Sequence, residues 1–547
     1  MTKSEAEREP LTSEMVEMDS THPNPIANPS KPHVSNVKWT PFMTAAFFFL
    51  VIMNWPGEMQ FEGKPIPAAK RCLAILVSVS TLWATEAIPL YVTSLLIPVL
   101  TVGSGALLPL AGKCKQGDTE CIAAQYSPLS PSAAAREICG QFFDPTVLLF
   151  MAGFSIGAVM EKQRLSNMIA SILLRPFGNK PENVLLGIMS LGTFLSMWIS
   201  NVPSSVLCVS LAQPIIHQLP NRDPYAKALL IGIAISNNIG GMTTPIASPQ
   251  NVIAFNWCSV TGNPVSFMGW LCLTIPYCGI LLLAAWYIIR FRYPPQLRTL
   301  QISELTREQP RMNPSQVLAL GVTTCTVVAW AFWKPLDLEP IFGSMGLLGI
   351  IPIAIFFSSG LLDRNDFHNG LNWSVLVLIG GGLALGHVME RSYLLHIMSS
   401  TIQESLSGAN LWTFTTAFSS FMAIIANFVS STVAAIIILP VVANVGKSIG
   451  QANVMIIASV FMDSAAMALP VSSFPNTNSF AVLRRGPVPT IEDGEDENSK
   501  DGSNKSAGNG SVLEVQDYVI TGGLVTLVAQ LEVSTIGFLL LRGIVGR

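Results

Sequence analysis

Two polar stretches interrupt long apolar runs of this chain. The first reads Ser-Asn-Val-Pro-Ser-Ser over residues 200–205, and the second reads Ser-Ser-Thr over residues 430–432. Each is followed further along by a second polar, proline-containing interruption, at 240–251 and at 465–476. Hydroxyl, amide and free backbone oxygens of this kind suit a dehydrated cation such as Na⁺, whereas Ca²⁺ favours carboxylates. Free N–H groups at the start of a half-helix suit an anion.

The interruptions come as matched pairs, one pair in each half of the chain. Backbone without helical hydrogen bonds is tolerated at membrane depth only where it is buried in protein or lines a cavity. A single Ser or Thr in a membrane helix is more often a packing group than a ligand. Clusters beside prolines favour binding, and matched broken helices in two halves point to a site near the membrane midplane.

Composition limits the class of protein. The chain has 547 residues, of which 50% are hydrophobic and 12% are charged, whereas soluble chains are about 25% charged. We therefore expect a polytopic membrane protein, and the net charge of −3 gives no indication of a nucleic-acid partner. The sequence contains no spaced His/Cys metal set, nucleophile triad or phosphate-binding loop, so we expect neither an enzyme nor an organic cofactor.

Apolar runs long enough to span a bilayer predict an all-α fold with two re-entrant hairpins, 183–218 and 410–446. Two broken helices follow the hairpins, 225–260 (broken at Gly240-Gly241 and Pro245) and 452–482 (broken at Pro470 and Pro475). Counting crossings from a cytosolic N-terminus satisfies the positive-inside rule. The predicted parts are a disordered cytosolic tail (1–38), a first half (39–291), a cytosolic linker (292–314), a second half (315–482), a disordered acidic cytosolic loop (483–517) and a last span with the C-terminus (518–547).

An internal repeat relates the two halves. Residues 143–161 align with 372–390, and the order of helix, amphipathic piece, hairpin and broken helix is the same in both. An odd number of crossings separates the halves, so we expect the repeat to be inverted in the membrane. The aligned pairs are Gly153 with Gly382, Gly157 with Gly386, Met160 with Met389, Glu161 with Glu390, Pro245 with Pro470, and Asn251 with Asn476.

Other polar residues allow more than one interpretation. Cys114 and Cys121 share a polar loop, where a disulfide or two free thiols are equally consistent with an oxidising side. Asp463 is an acid within a span and therefore a functional candidate. For His387 and Glu532 we expect packing rather than proton relay.

Several motifs resemble the divalent anion:sodium symporter family over residues 40–541. They are the Trp83–Pro98 stretch, the Ser200-Asn201 tip, residues 238–241 with 248–251, and residues 469–476. The residues at the two hairpin tips are more similar to those of the fungal low-affinity and vacuolar phosphate transporters than to those of the carboxylate carriers. Those phosphate transporters usually carry an N-terminal SPX domain, which we expect to be absent here.

The resemblance implies an inverted-repeat transporter with about 11 transmembrane helices and two re-entrant hairpins. It also implies a homodimer in which a transport domain moves like an elevator against a fixed scaffold. The implied sodium ligands are Ser196, Ser200, Asn201 and Gly240 at a first site, and Ala426, Asn427, Ser430 and Ser472 at a second. The implied substrate contacts are Ser200, Asn201, Val202, Ser248, Ser430, Ser431, Thr432 and Ser473.

These observations favour a secondary transporter for inorganic phosphate that uses Na⁺ as the coupling ion. A sodium-coupled dicarboxylate or sulfate carrier of the same fold is the alternative. An anion channel would need a continuous pore with charged rings, which sealed hairpins do not provide. We expect a multi-pass protein of the plasma membrane or of a vacuolar or other organelle membrane.

Overall fold

The computed structural model describes residues 38–61, 64–109, 127–220, 223–262, 264–300, 312–405, 409–482 and 512–545. Within these ranges the fold is helical apart from two short antiparallel strands, Gln60–Phe61 and Lys64–Pro65. The prediction of an all-α fold is confirmed. Most of the N-terminal tail, the loop with Cys114 and Cys121, part of the central linker and most of the acidic loop lie outside the described residues.

The first half begins with helices that precede the repeat. They are Trp39–Asn54, Pro67–Thr85, Leu90–Ser104 and Pro131–Gly140. The first repeat follows as Pro145–Lys162, Leu165–Leu174, Pro181–Ile199, Asn201–Gln218, Pro224–Thr243, Pro249–Val260 and Phe267–Arg292.

The second half repeats this order after a lead-in of its own. The lead-in helices are Pro314–Ala331, Glu339–Phe342, Met345–Leu348, Ile350–Ser358 and Arg364–Asn369. The second repeat is Trp373–Arg391, Leu394–Ser405, Leu411–Phe428, Ser431–Ser448, Ala452–Ser464 and Phe474–Phe480. The last helix runs through Val515–Asp517, Gly523–Glu532 and Phe538–Ile544, with π-helical turns at Tyr518–Gly522 and Val533–Gly537.

Two hairpins and two broken helices form the repeated core of the chain. Hairpin 1 is Pro181–Ile199 with Asn201–Gln218, and hairpin 2 is Leu411–Phe428 with Ser431–Ser448. Broken helix 1 is Pro224–Thr243 with Pro249–Val260, and broken helix 2 is Ala452–Ser464 with Phe474–Phe480. The two predicted hairpins and the two predicted broken helices are therefore present, one of each in either half.

One predicted break is wrong in its position. The glycine pair Gly240-Gly241 lies inside the first arm of broken helix 1, which continues to Thr243, and the helix opens only from Thr244 to Ser248. The glycines serve packing instead, because a Cβ at Gly240 would lie 2.8 Å from the Ser196 Cβ. A small residue lets two helix backbones approach closely at that level.

The helices are long enough and apolar enough for a membrane protein. In the described part of the chain, nine helices have the length and composition to cross a bilayer, and three of them are hairpin arms. Shorter apolar helices include Trp39–Asn54 and Ala452–Ser464. The chain is an integral, multi-pass membrane protein. Its last helix starts at Val515, inside the segment predicted to be a loop, and the preceding Val512 and Leu513 are buried.

The two halves interlock through their interruptions. The second arm of broken helix 1 packs against hairpin 2 and broken helix 2, and Phe474–Phe480 packs against hairpin 1 and broken helix 1. Helices Pro145–Lys162 and Trp373–Arg391 flank this block, against hairpin 1 and hairpin 2 respectively. Because each broken helix packs against elements of the other half, all four interruptions lie in one core.

Candidate functional site

The tip of hairpin 1 is a single strained residue. Ser200 separates the two helical arms with φ 84° and ψ 155°. That backbone region is essentially restricted to glycine, and occupying it with another residue costs on the order of 1–3 kcal/mol. The bend leaves Ser196 and Asn201 on either side of the tip, where both face broken helix 1.

Three oxygen atoms converge there around one hydroxyl proton. Ser196 Oγ lies 2.5 Å from Asn201 Oδ1 and 2.8 Å from the backbone oxygen of Asn237. A serine hydroxyl donates one hydrogen bond, so it satisfies only one of these acceptors at a time. Ser196 is fully buried, and Asn201 is half-buried. A bound monovalent cation would interact favourably with all three oxygens at once.

The glycine pair allows broken helix 1 to reach this tip. A Cβ at Gly241 would lie 2.6 Å from Asn201 Nδ2, and one at Gly240 would collide with the Thr193 carbonyl as well as with Ser196. The structure therefore brings together four of the residues predicted for the first sodium site: Ser196, Ser200, Asn201 and Gly240.

Asn251 stabilises the non-helical segment between the two arms of broken helix 1. Its Nδ2 donates to the backbone oxygens of Gly241 at 2.7 Å and Thr244 at 2.8 Å. Ser248 Oγ donates to the same Gly241 oxygen at 2.8 Å. Ser248 was predicted to contact substrate, and in this structure its hydroxyl proton is used inside the protein.

Asn476 plays the equivalent part in broken helix 2. Its Nδ2 donates to the Leu469 oxygen at 2.9 Å, and its Oδ1 accepts from Asn238 Nδ2 at 3.0 Å. Ser472 Oγ also donates to the Leu469 oxygen, at 2.9 Å, and Ser473 Oγ accepts from the Asn476 N–H at 3.4 Å. The hydrogen bond between Asn238 and Asn476 ties the two broken helices together.

The tip of hairpin 2 is arranged differently. Asn427 Nδ2 donates to the Ala423 oxygen at 2.7 Å, and Asn427 Oδ1 accepts from the Ala468 N–H at 2.8 Å. Its amide thus links the hairpin to broken helix 2. Ser431 Oγ donates to the Asp463 backbone oxygen at 3.4 Å, and Ala426 is buried without an oxygen-bearing side chain.

Ser430 and Thr432 complete the second tip. Both are half-buried, and Ser430 directly precedes the arm that begins at Ser431 without making a side-chain capping hydrogen bond to it. The N-terminus of this arm, like that of the arm beginning at Asn201, has backbone N–H groups without intrahelical partners. Each tip thus offers one helix N-terminus. The broken helices pack against both hairpins and so connect the two tips.

A cavity of about 620 Å³ opens beside the first tip. Ser200 and Val202 line it, together with Glu161, His368 and Asn372 from the flanking segments. Among the described residues that line this cavity, none belongs to the second tip. The structure therefore gives the first tip access to an open space from one side.

The sequence interpretation missed three contributors. The Asn237 carbonyl faces Ser196, the Asn238 amide joins the broken helices, and Thr244 Oγ1 donates to the Met197 oxygen at 2.8 Å. The available signal was the polar triplet Ser236-Asn237-Asn238 in an otherwise apolar helix. Its residues are fully or almost fully buried.

Comparison with known proteins shows which sequences this chain is similar to. The family model described as "Citrate transporter" (CitMHS) matches residues 80–462. The inorganic phosphate transporter PHO87 of Saccharomyces cerevisiae is 34% identical over 422 residues, which cover 76% of this chain and 43% of that protein. The sodium-dependent dicarboxylate transporter SdcS of Staphylococcus saprophyticus is 25% identical over 437 residues, which cover 75% of this chain and 79% of that protein.

The fungal relatives are longer proteins. The chain spans less than half the length of the three fungal transporters that it matches at 33–35% identity. The solved structure of the YdaH transporter of Alcanivorax borkumensis is similar over 83% of this chain and 98% of that one, with 13% identity and a TM-score of 0.46.

Proposed function

The chain belongs to the citrate transporter family, and we propose that it is a secondary active transporter for inorganic phosphate, coupled to sodium. The family model describes a transporter, and so do the names of the relatives given above. Identity supports phosphate over dicarboxylates, since the phosphate transporter is 34% identical and the dicarboxylate transporter 25% identical. We place the protein in the plasma membrane or in a vacuolar or other organelle membrane.

The observation that carries the sodium proposal is the oxygen cluster at the first tip. Ser196 Oγ, Asn201 Oδ1 and the Asn237 carbonyl converge with one proton between them. We propose that Na⁺ binds there, with Ser200 and the Gly240 backbone completing the shell. Because neutral oxygens hold the ion, it would keep its full positive charge next to the anion.

We propose that the anion binds between the tips. The arms that begin at Asn201 and Ser431 would direct backbone N–H groups to it, because a helix N-terminus carries partial positive charge. Hydroxyls of Ser200, Ser430 and Thr432 would donate further hydrogen bonds. Phosphate has several acceptor oxygens and matches such a set of neutral donors.

A dicarboxylate carrier is the second candidate. It is favoured by the match to the sodium-dependent dicarboxylate transporter, which extends over 79% of that protein. It would use the same sodium cluster, with the two helix N-termini binding one carboxylate each. The spacing of two carboxylates along a chain, rather than one tetrahedral group, would then determine specificity.

For the transport cycle we propose an elevator movement of the hairpins and broken helices against a scaffold, within a homodimer. Glycines on the two flanking helices support it. Gly157 packs against the Ile199 carbonyl of hairpin 1, and its repeat partner Gly386 packs against Trp257 of broken helix 1. Because glycine has no side chain, these contact surfaces lack protruding groups. This lowers the barrier to sliding of the hairpins and broken helices against the flanking helices.

Uptake into proteoliposomes tests the proposal. Labelled phosphate and labelled succinate would be offered separately, with and without an inward sodium gradient. We expect phosphate to accumulate only with the gradient and succinate to be carried more slowly. Phosphate uptake that is indifferent to sodium would refute the coupling, and faster succinate uptake would refute the substrate.

A further inference from the structure

One acidic residue in the core has no role in the function proposed above. Asp463 lies near the end of the first arm of broken helix 2 and is 0% exposed. Both of its carboxylate oxygens lack a hydrogen-bond partner. An ionised carboxylate in this position would be very costly, and buried groups of this kind take up a neutralising cation or proton instead.

The repeat indicates what Asp463 replaces. Asn251 corresponds to Asn476, and each locks the opening of its own broken helix. Asn238 lies 13 residues before Asn251, and Asp463 lies 13 residues before Asn476. Asp463 is therefore the counterpart of Asn238.

This correspondence predicts the group that Asp463 faces. Asn238 of the first half donates to Asn476 Oδ1 of the second, so the same relation places Asp463 of the second half opposite Asn251 of the first. The residues next in sequence support this, because Gln250 Nε2 donates to Ser464 Oγ at 2.9 Å.

Asn251 is the complementary unsatisfied group. Its Nδ2 faces two backbone oxygens, Gly241 and Thr244, which are both acceptors, so the orientation of the amide is determined. The remaining atom, Asn251 Oδ1, is buried and has no partner. It needs a donor, which an ionised Asp463 cannot supply and a protonated Asp463 can.

We propose that Asp463 is a proton-binding site of the transport cycle, whose carboxylic O–H donates to Asn251 Oδ1. Loss of the proton leaves two acceptors opposite each other, so deprotonation favours separation of the two broken helices. One carboxyl and one amide oxygen are enough for a proton, whereas a metal ion would need a larger set of oxygens. The inference rests on the proposed transport function and adds a second coupling ion to it.

No other ionisable group neutralises Asp463 among the described residues. The elements packed against Ala452–Ser464, including the last helix and Phe267–Arg292, carry charged groups that lie mostly near helix ends, together with tyrosines, cysteines and one further buried acid. Lys227 already pairs with Asp517 at 2.8 Å, and none of the set hydrogen-bonds to Asp463. The charged groups near the ends are Lys227, Arg290, Arg292, Lys447, Asp517 and Arg542, the buried acid is Glu532, and the tyrosines and cysteines are Tyr225, Cys258, Cys272, Tyr277, Cys278, Tyr287 and Tyr518.

The test compares proton movement in three proteins. Full-length wild type, Asp463→Asn and Glu532→Gln would be reconstituted with a pH-sensitive dye inside the vesicles, and phosphate or succinate would be added outside. Glu532 is the matched control, because it is also a buried acid without a partner. Asp463→Asn has a permanent N–H donor, like Asn238, so we expect it to fold and to lose the proton uptake that accompanies the anion. Glu532→Gln should retain it.

The outcomes separate this inference from the proposed function. Proton uptake that depends on Asp463 but accompanies succinate supports the inference and refutes phosphate as the substrate. Equal proton uptake in wild type and Asp463→Asn, or none in wild type, overturns the inference and leaves phosphate transport intact. Because phosphate itself carries protons, all proteins are compared in identical buffers.

A measurement without transport completes the design. Infrared spectra of the purified full chain should show a carboxylic-acid band that Asp463→Asn lacks and Glu532→Gln retains. Identical bands in wild type and Asp463→Asn would show that Asp463 is not protonated and would overturn the inference even if no anion were carried.

Discussion

The tips of hairpin 1 and hairpin 2 occupy equivalent places in the two repeats, yet they use their polar atoms differently. At the first tip the side chains of Ser196 and Asn201 contact each other, and Ser200 holds a strained backbone. At the second tip Ser430 has φ −52° and ψ 133°, an ordinary extended conformation. Asn427 there uses both ends of its amide for protein hydrogen bonds.

The difference shows how one repeat can serve two purposes. The first tip gathers more oxygen acceptors than protons, which suits a cation. The second tip satisfies its amide internally, which suits a structural hinge for broken helix 2. The second sodium set, Ala426, Asn427, Ser430 and Ser472, stays a prediction, and the comparison can be tested residue by residue.

The largest effect is expected from Asn201→Ala. This change removes the tip oxygen beside Ser196, and we expect sodium-driven uptake to be lost while the protein still inserts and purifies as the wild type does. The measurement is phosphate uptake in proteoliposomes. Ser431→Ala is the matched variant, since Ser431 is the equivalent of Asn201, and it should retain part of the uptake. Equal losses would mean that the two tips are functionally alike.

A smaller effect is expected from Ser196→Ala. Loss of one oxygen from a charged interaction costs about 1.5–3 kcal/mol, so sodium affinity should fall about tenfold or more. The sodium concentration for half-maximal uptake measures this. The reciprocal change Ala426→Ser gives the second tip the hydroxyl of the first. If it raised sodium affinity as much as Ser196→Ala lowered it, the asymmetry proposed for the tips would be wrong.

The smallest effect on transport is expected from Asn427→Ala. It leaves the part-buried Ala468 N–H without its acceptor, which costs up to about 1 kcal/mol, less than a fully buried donor would. We expect a lower thermal unfolding midpoint with an unchanged sodium requirement. A fall in sodium affinity together with the loss of stability would instead assign Asn427 to a second sodium site.

Much of the fold follows from local pattern. The lengths of apolar runs, the repeated glycines and the prolines of the interruptions predicted both hairpins and both broken helices, because these features act within a few turns of the chain. The position of the first break was wrong for the same reason. The local pattern predicted that the glycines at 240 and 241 break the helix. In the structure they leave room for the side chains of Ser196 and Asn201, which belong to hairpin 1.

The site was predicted in part. Ser200 and Asn201 could be selected because a Ser-Asn pair beside a proline is conspicuous in an apolar run, whereas Ser196 was implied by the resemblance to the divalent anion:sodium symporter family. The Asn237 carbonyl could not, because every residue has a backbone oxygen and only the packing of two helices decides which one faces Ser196. The pairing of Asn238 with Asn476 likewise joins residues 238 positions apart in the chain.

Local patterns were enough to predict a helical membrane protein with two matched, interrupted halves, since hydropathy and turn chemistry are local properties. Only the tertiary structure decided that the halves exchange contacts, and that the first tip gathers oxygens around one proton while the second satisfies its amide within the protein. It also decided that the buried acids Asp463 and Glu532 lack hydrogen-bond partners among the described residues. Hydrogen-bond partners depend on distances between segments remote in sequence, and a buried polar group is costly or stable according to the partner that folding brings to it.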